Sequence, residues 1–443
     1  MNALIIAPLI VAAISAILGF IISLADDKLN DYGIVKININ KGKKEVEVKG
    51  GSTLLNTMAT QDIFIPSACG GKGSCAACKV QILSDIGQHL PTETPHMSPQ
   101  ELKENIRLAC QIKVKTNLDL QVPEELFSIK KFVGIVEKIE EMTHDIKRVY
   151  IRLPEGMTID FVAGNYAQFE VPPYFKEYHK LVKDNALEAR FDPKTYNHPA
   201  ITVNPGFSNE IKQSSQKAYS ISSDPNDVNH LEFMIRLVPG GLVTTYVHTI
   251  LKENMTINML APMGEFHVHY DTLKANNGVM ICVGGGSGMA PFKGIFFEMI
   301  KNTEINNIPI WYFFGAATPK DMYYTDWLES LHQKYEHFHF IPALSGPPPF
   351  PKPADWTPPE EWDKELQERL NSKLSDFEVG LITDIMDKYL KDNGRDDRNK
   401  GHKIKDAYRH GYLCGSSGML NACMKVMTAN GMKEDEVYFD KFN

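Results

Sequence analysis

The chain has 443 residues, 43% of them hydrophobic and 23% charged, and a formal net charge of −8. That length allows about three domains, the composition is that of a globular protein, and the acidic balance argues against nucleic acid, which needs clustered Lys and Arg. Seven cysteines in a chain this size do not form a disulfide framework and fit a reducing compartment.

Residues 3–25 form an apolar stretch without a charge, relieved by Pro8, Ser15, Gly19 and Ser23. As a helix it spans about 34 Å, enough to cross a hydrocarbon core of roughly 30 Å. A signal peptide is the competing reading, since Ser23-Leu-Ala25 has a small-x-small form. The start carries no basic residue and the apolar run is too long for one, so the expectation is a transmembrane anchor. Lys28, Lys36, Lys41, Lys43 and Lys44 follow it, which places the rest of the chain in the cytoplasm by the positive-inside bias.

A small domain is expected over 33–128. Alternating stretches at 34–40 and 45–48 flank Asn40-Lys-Gly-Lys, a hairpin signal. A short helix at 54–60 leads to Cys69, Cys75 and Cys78, spaced C-x5-C-x2-C among Gly, Ser and Ala. A strand at 79–83 leaves that loop. Ser98, Pro99 and Glu101 form a capping box with proline at the first helical position, and the short helix they start delivers Cys110. Strands at 111–114 and 118–122 close the sheet. Three thiols in one loop and one distant suit a 2Fe–2S cluster; a structural zinc site would favour two paired knuckles. Gly70, Gly71 and Gly73 allow the loop to wrap tightly and aim N–H groups at sulfur.

From 129 to 272 the pattern is strand-rich, with β-branched and aromatic alternation at 133–139, 146–153 and 166–171, as in an antiparallel barrel. Residues 173–216 read as a polar, irregular insertion, either a partner surface or a solvated excursion. In Lys217-Ala-Tyr-Ser220, Lys217 can meet a phosphate, Tyr219 can stack on a flat ring and Ser220 can donate to a ring nitrogen. Gly241-Leu-Val243-Thr244 then offers N–H groups and a hydroxyl to a diphosphate. The segment 261–266 reads as a turn leading into the last barrel strand.

From 273 to 443 strands alternate with helices, which indicates a parallel sheet with crossovers. An apolar strand at 279–283 runs into Gly284-Gly-Gly286-Ser-Gly288-Met-Ala-Pro291 and a helix at 292–300, the order that a dinucleotide loop requires. Further strands are read at 310–314, 338–344 and 412–414. Residues 347–359 form a proline-rich surface loop. Cys414-Gly415-Ser-Ser-Gly-Met419 ends one of the strands, where open α/β sheets bind ligands, and Cys414 can lie against a nicotinamide. Cys282 and Cys423 are read as buried core. His267, His269, His337 and His339 are read as surface or barrel residues, not metal ligands.

Together these motifs resemble the ferredoxin–NAD(P)+ reductase family. Its flavin motif corresponds to Lys217–Ser220 with lysine in place of arginine, and its G-x-x-S/T to Gly241–Thr244. Its dinucleotide loop corresponds to Gly286, Gly288 and Pro291, and its C-G-x-x-x-M to Cys414, Gly415 and Met419. With the anchor and the cysteine domain added, nearly the whole chain is similar to the family of electron-input F subunits of sodium-translocating NADH:quinone oxidoreductases. The resemblance implies a multidomain α+β and α/β protein: a transmembrane helix, a β-grasp 2Fe–2S ferredoxin domain, an antiparallel β-barrel FAD domain and a parallel α/β NAD-binding domain.

It further implies that Ser220 and Cys414 frame the hydride transfer from NADH to FAD, and that Phe442 sits beside the flavin. Electrons then leave singly through a cluster on Cys69, Cys75, Cys78 and Cys110. They pass to other membrane subunits, reach quinone indirectly and drive Na+ export at the inner membrane. Ala317 replaces a family arginine and Lys320 is the nearest base, which favours NADH over NADPH. Ser416 and Ser417 stand where prolines are frequent. The alternative is the reductase component of an oxygenase, which has the same three modules without the anchor; a further rival is a membrane-anchored ferredoxin acting only as carrier.

Overall fold

The computed structural model describes residues 15, 32–67, 69–175, 210–211, 214–238, 241–318, 321–345 and 377–442. The expected transmembrane segment, most of the 173–216 insertion, the proline-rich loop and Lys320 lie outside the described residues. Among the described residues no helix is long and apolar enough to cross a membrane. The chain divides into two compact units between Lys130 and Lys131.

In the first unit, β1 (Ile34–Ile39) and β2 (Lys44–Lys49) form the expected hairpin. Then come α1 (Leu54–Ala59), β3 (Lys79–Ile82), α2 (Pro99–Lys103), β4 (Ile106–Leu108) and β5 (Leu118–Gln121). The sheet order is β2-β1-β5-β3-β4, with β1 and β5 parallel and the other pairs antiparallel. Apolar residues at every second strand position face inward, so Ile37, Ile39 and Leu120 are buried with Leu54 and Met58 of α1. The capping box forms: Ser98 Oγ accepts from Glu101 N at 3.2 Å and Glu101 Oε2 accepts from Ser98 N at 2.7 Å. The expected strand at 111–114 is absent as such. Lys113 makes one isolated bridge to Thr53, because the Ile112 carbonyl accepts from Leu54 N at the start of α1.

The second unit starts with β6 (Lys130–Glu141), β7 (Ile146–Arg152) and β8 (Tyr166–Val171), then the two-residue pair β9 (Tyr174–Phe175) and β10 (Glu210–Ile211). It continues with β11 (Ser215–Ser220), β12 (His230–Arg236), α3 (Leu242–Thr249) and β13 (Thr256–Met263). Six of these strands pair in the order β11-β8-β13-β6-β7-β12. A bridge between Ile221 and Phe233 joins the two ends, closing the sheet around Val149, Ile151, Phe169, Phe233 and Met259. Residues 261–263 belong to β13 itself; the turn follows the last barrel strand and does not lead into it.

After α4 (Tyr270–Ala275) the chain alternates β14 (Val279–Gly285), α5 (Ala290–Lys301), β15 (Ile310–Ala316), α6 (Thr325–Lys334), β16 (Phe338–Leu344) and β17 (Glu378–Val379). It ends with α7 (Ile382–Asp392), α8 (Asp396–Asn399), β18 (Arg409–Ser416), α9 (Ser417–Ala429) and β19 (Val437–Phe442). The strands are parallel in the order β17-β16-β15-β14-β18-β19. Both faces are covered. Met280 and Cys282 enter a core with Phe292 and Phe296 of α5, while Val279, Ile281 and Val283 enter one with Met386 and Tyr389 of α7. That explains the unbroken apolar run of β14, and each fully buried Phe contributes about 1.5–3 kcal/mol. β14 and β18 are neighbours although remote in sequence, so the chain leaves β14 in both directions and opens a crevice at the carboxyl edge.

Candidate functional site

The cysteine loop turns on left-handed residues: Gly70, Gly71, Gly73 and Ala76 have φ of 66°, 83°, 75° and 58°. Ser67 Oγ accepts from Gly71 N at 2.8 Å. The strand β4 brings Cys110 beside Cys78, whose carbonyl accepts from Ala109 N at 2.9 Å. The four thiols fall into two neighbouring pairs, Cys69 with Cys75 and Cys78 with Cys110. Burial pushes the Cys69 thiol up, but the N–H groups of Ser74, Cys75 and Lys72 and the Cys75 thiol hold it at about 6. Burial, with the Cys110 thiol beside it, pushes Cys78 up to about 12. Among the described residues no three His, Cys, Asp or Glu side chains are placed to hold a single metal ion. Two thiol pairs with N–H groups aimed at sulfur are instead what a two-iron cluster asks of its ligands.

Behind Cys110 lies a buried ion pair that the sequence reading did not single out. Arg107 Nη2 donates to Glu93 Oε2 at 2.7 Å, and the side chains are 3% and 0% exposed. Glu93 also accepts from Leu90 N and Leu108 N, each at 2.9 Å. The pair fastens the 84–97 excursion to the strand that delivers the fourth cysteine.

In the second unit, β11 pairs with β8 and carries Lys217, exposed, Tyr219, partly buried, and Ser220, buried. Tyr219 packs edge-on against Phe169 with ring centroids 5.1 Å apart. Gly241 is the N-cap of α3. A Cβ there would lie 2.6 Å from Thr244 Oγ1 and 3.0 Å from the Val238 carbonyl, so only glycine fits the turn. Val243 and Thr244 are buried, and the hydroxyls fold back on the loop. Thr244 Oγ1 accepts from Val238 N at 3.2 Å, and Thr245 Oγ1 donates to Gly241 O at 2.6 Å. They shape the turn that starts α3, and a helix N-terminus at such a turn suits a diphosphate.

At the carboxyl edge of the parallel sheet, Gly286 adopts φ of 55° and its carbonyl accepts from the buried Tyr323 hydroxyl at 2.7 Å. A Cβ on Gly288 would lie 2.1 Å from the Cys414 carbonyl oxygen; the loop can rest on β18 only without one. Gly284 pairs with Cys414 in register. Gly285 and Gly415 make room for Met419, whose sulfur and methyl would meet their Cβ atoms at 3.0 and 2.6 Å. Pro291 sits in the first turn of α5. Ser416 Oγ caps α9 by accepting from Met419 N at 3.4 Å, a local reason for serine where proline was expected.

Ser220 and Cys414 come together through a third residue, Asp440 of β19. Ser220 Oγ donates to Asp440 Oδ2 at 2.8 Å, and Asp440 pairs with Cys414 across β18 and β19. Burial pushes the Asp440 carboxyl up, against the Ser220 hydrogen bond. Burial likewise pushes the Cys414 thiol well up, and Asp440 adds to it. The Asp lies at the end of a strand-like stretch with no glycine to flag it, so only the fold could reveal its neighbours. Phe442 lies in β19 opposite Ser416; its side chain is outside the description. Cys282 and Cys423 are buried in the core as expected. His339, expected at the surface or in the barrel, is fully buried in β16 of the parallel sheet and stacks on Trp311 at 4.2 Å, because both faces of that sheet are covered.

Comparison with known proteins agrees with this arrangement. The profile of the 2Fe-2S iron-sulfur cluster binding domain matches residues 37–115, that of the oxidoreductase FAD-binding domain residues 202–268, and that of the oxidoreductase NAD-binding domain residues 280–425. The chain therefore uses a 2Fe–2S cluster, FAD and NADH. Among solved structures it is similar in fold to Amycolatopsis cytochrome P450 reductase GcoB, with a TM-score of 0.61 at 20% identity over 92% of this chain and 98% of that one. The ferredoxin reductase in carbazole 1,9a-dioxygenase has a TM-score of 0.55 at 18% identity over 93% and 99%. In sequence it is 31% identical to the F subunit of the Na(+)-translocating NADH-quinone reductase of Marinomonas sp. (strain MWYL1), over 97% of this chain and 96% of the relative. The corresponding protein of Pseudomonas aeruginosa (strain UCBPP-PA14) is 31% identical over 95% and 94%. With the cluster, flavin and dinucleotide motifs carried in one chain along that whole length, this protein belongs to the family of Na(+)-translocating NADH-quinone reductase F subunits.

Proposed function

We propose that this chain is the electron-input component of a membrane NADH:quinone oxidoreductase coupled to Na+ export. The observation that carries the reading is the convergence of Ser220, Cys414 and Asp440 beside the glycine loop, in a chain that also holds two cysteine pairs. Cys69, Cys75, Cys78 and Cys110 would hold the cluster. Lys217, Tyr219, Ser220, Gly241, Val243, Thr244 and Phe442 would hold FAD, and Gly284, Gly286, Gly288, Pro291, Cys414 and Gly415 would receive NADH. The bound groups supply two-electron acceptance from a hydride donor and one-electron delivery.

The protein's own part is positional. The glycine loop brings the dinucleotide close to the backbone, and Cys414 fills the floor without ionising. The Asp440 carboxyl holds a proton more readily than an exposed aspartate does, because burial disfavours its charge. Ser220 Oγ, bonded to it, orients toward whatever ring enters between barrel and sheet. Lys217, exposed on the same strand, meets a phosphate and not the ring.

Residues 3–25 serve as a single-pass anchor, which leaves the domains at 33–128, 129–272 and 273–443 on the cytoplasmic side, in contact with other subunits of the complex. The likeness in sequence to the F subunits, over nearly the whole chain, supports this over an oxygenase reductase, with which only the fold is shared. Anaerobic NADH titration of the membrane-extracted protein, followed optically and by EPR, tests it. Bleaching of the flavin band together with a reduced-cluster signal is expected. Absence of iron and acid-labile sulfide, or no bleaching, refutes it.

A further inference from the structure

Three sulfurs of the cysteine domain are served by backbone. Cys69 accepts from the N–H groups of Ser74, Cys75 and Lys72, Cys75 from that of Ala77, and Cys78 from that of Cys110. At Cys110 a side chain takes this part: Gln111 Nε2 donates to its Sγ at 3.5 Å. The far end of the same amide is held, since Thr92 Oγ1 donates to Gln111 Oε1 at 3.1 Å. The two bonds are consistent with one orientation. A carboxamide has one donating and one accepting end, and a thiolate only accepts, so nitrogen faces sulfur and oxygen is left for the hydroxyl.

The surroundings keep the amide in that place. Gly73 leaves room for it, because a Cβ there would lie 2.7 Å from Gln111 Nε2 and 3.1 Å from its Cδ. A larger residue at 73 would push the donor off the sulfur. Thr92 is fixed through its neighbour. Glu93 pairs with Arg107 and accepts from Leu108 N at 2.9 Å, so the excursion that carries Thr92 is pinned to β4, the strand that leads to Cys110. A glutamine that only filled space would need neither the hydroxyl at its oxygen nor the glycine at its nitrogen.

We propose that Gln111, aligned by Thr92, raises the reduction potential of the cluster by donating from its side-chain amide to the sulfur of Cys110. This rests on the reading of Cys110 as the fourth cluster ligand. One electron, lost by the reduced flavin, adds a negative charge to the cluster. A donor at a ligating sulfur stabilises that reduced state more than the oxidised one. Gln111 is half-buried, which limits competition from water. Unlike the backbone donors, this one can be removed by a single substitution without rebuilding the loop.

The test is a mediated redox titration of the full-length protein with its flavin and cluster, read by EPR for the cluster and optically for the flavin. Gln111→Leu fills similar space without a donor. It is expected to make cluster reduction about 3- to 10-fold less favourable, a drop of about 30–60 mV at about 59 mV per tenfold for one electron. The flavin midpoint stays where it is. Gln111→Glu, of equal size but with a carboxylate at the sulfur, should lower the cluster midpoint further. Thr92→Val should cost about twofold by freeing the amide, and Thr92→Ser, which keeps the hydroxyl, should match wild type. An unchanged cluster midpoint in Gln111→Leu overturns the assignment. Should that variant assemble no cluster, the Thr92 pair decides: a midpoint in Thr92→Val equal to that in Thr92→Ser overturns it. Wild-type protein without iron and acid-labile sulfide overturns the cluster reading itself, whereas a loaded wild type with unmoved variants overturns this inference alone.

Discussion

The Glu93–Arg107 pair offers a sharp test of how the cysteine domain is held together. Replacing Glu93 by alanine removes three contacts to Arg107, at 3.1, 3.1 and 2.7 Å, and both acceptors for Leu90 N and Leu108 N. The guanidinium keeps only the longer bonds to the Gly87 and Gln88 carbonyls, at 3.3 and 3.4 Å. Breaking a buried pair by deleting one partner costs about 3–5 kcal/mol. A domain of ordinary stability holds only about 5–15 kcal/mol.

The converse change, Arg107→Met, is expected to cost less. Glu93 would still accept from two backbone N–H groups, and the methionine would fill much of the vacated space. The two cofactors give separate signals for the two units. In a urea titration of the intact protein, visible cluster absorbance reports the first and flavin fluorescence the second. With m of about 1–3 kcal/mol/M, a loss of about 3–5 kcal/mol in Glu93→Ala should lower the cluster midpoint by about 1–5 M and leave the flavin midpoint in place. Burial pushes the Glu93 carboxyl up, but Arg107 and the N–H groups of Leu90 and Leu108 hold it below the usual range. The stabilisation is therefore present above about pH 4.3 and lost as pH falls through the folded value. A cluster midpoint shifted no further by Glu93→Ala than by Arg107→Met would refute the reasoning.

Three other outcomes follow from the geometry. Burial holds His339 neutral, with a pKa of about 3, while its Nδ1 donates to the Arg398 carbonyl at 2.9 Å and its Nε2 faces His402 Nδ1 at 3.1 Å. The folded value lies below the unfolded one, so stability should fall as pH drops from about 6.5 toward 3, by up to about 1.4 kcal/mol per pH unit. His339→Phe should flatten that acid limb in urea midpoints read by flavin fluorescence, and an unchanged slope would count against it. Gly288→Ala drives a Cβ into the Cys414 carbonyl, a backbone clash that no rotamer relieves. NADH should no longer bleach the flavin, while dithionite still gives a normal cluster EPR signal. Lys217→Arg restores a forked donor on an exposed strand position and should retain flavin at least as well through dialysis; looser retention would remove Lys217 from the phosphate site.

Local chemistry explains which parts of the fold were legible in the sequence. The hairpin at Asn40–Lys43, the capping box at Ser98–Glu101 and the strand at 166–171 each depend on residues close in sequence, and each forms. The glycine loop was legible because strand, glycines and helix follow one another directly. Residues 111–114 misled because their partner is only Ser52–Leu54: Leu54 N bonds the Ile112 carbonyl and Val114 N the Ser52 carbonyl, a single bridge, before α1 turns the partner away. His339 misled because in a doubly covered sheet a polar residue keeps the alternation yet is buried. Asp440 and Glu93 were invisible for a different reason. Their partners are 220 and 14 residues away, and an isolated acid in a sequence resembles any solvated one.

The long-range pairs share a location that explains their role. Ser220–Asp440 ties barrel strand β11 to sheet strand β19. Glu232 of β12 accepts from Lys293 of α5 at 2.6 Å, with side chains 4% and 8% exposed. Arg148 of β7 bonds the Tyr324 hydroxyl at the start of α6, and Arg236 of β12 lies on Gly286. Every one of these contacts joins barrel to parallel sheet, across the crevice where a ring from one side must meet a ring from the other. Apolar packing alone would tolerate sliding there, since it is non-directional. Buried charged pairs have one satisfactory geometry and are costly when mispaired. The seam is therefore held by directional contacts where transfer distance matters most, whereas the closed interior of the barrel is filled by hydrocarbon.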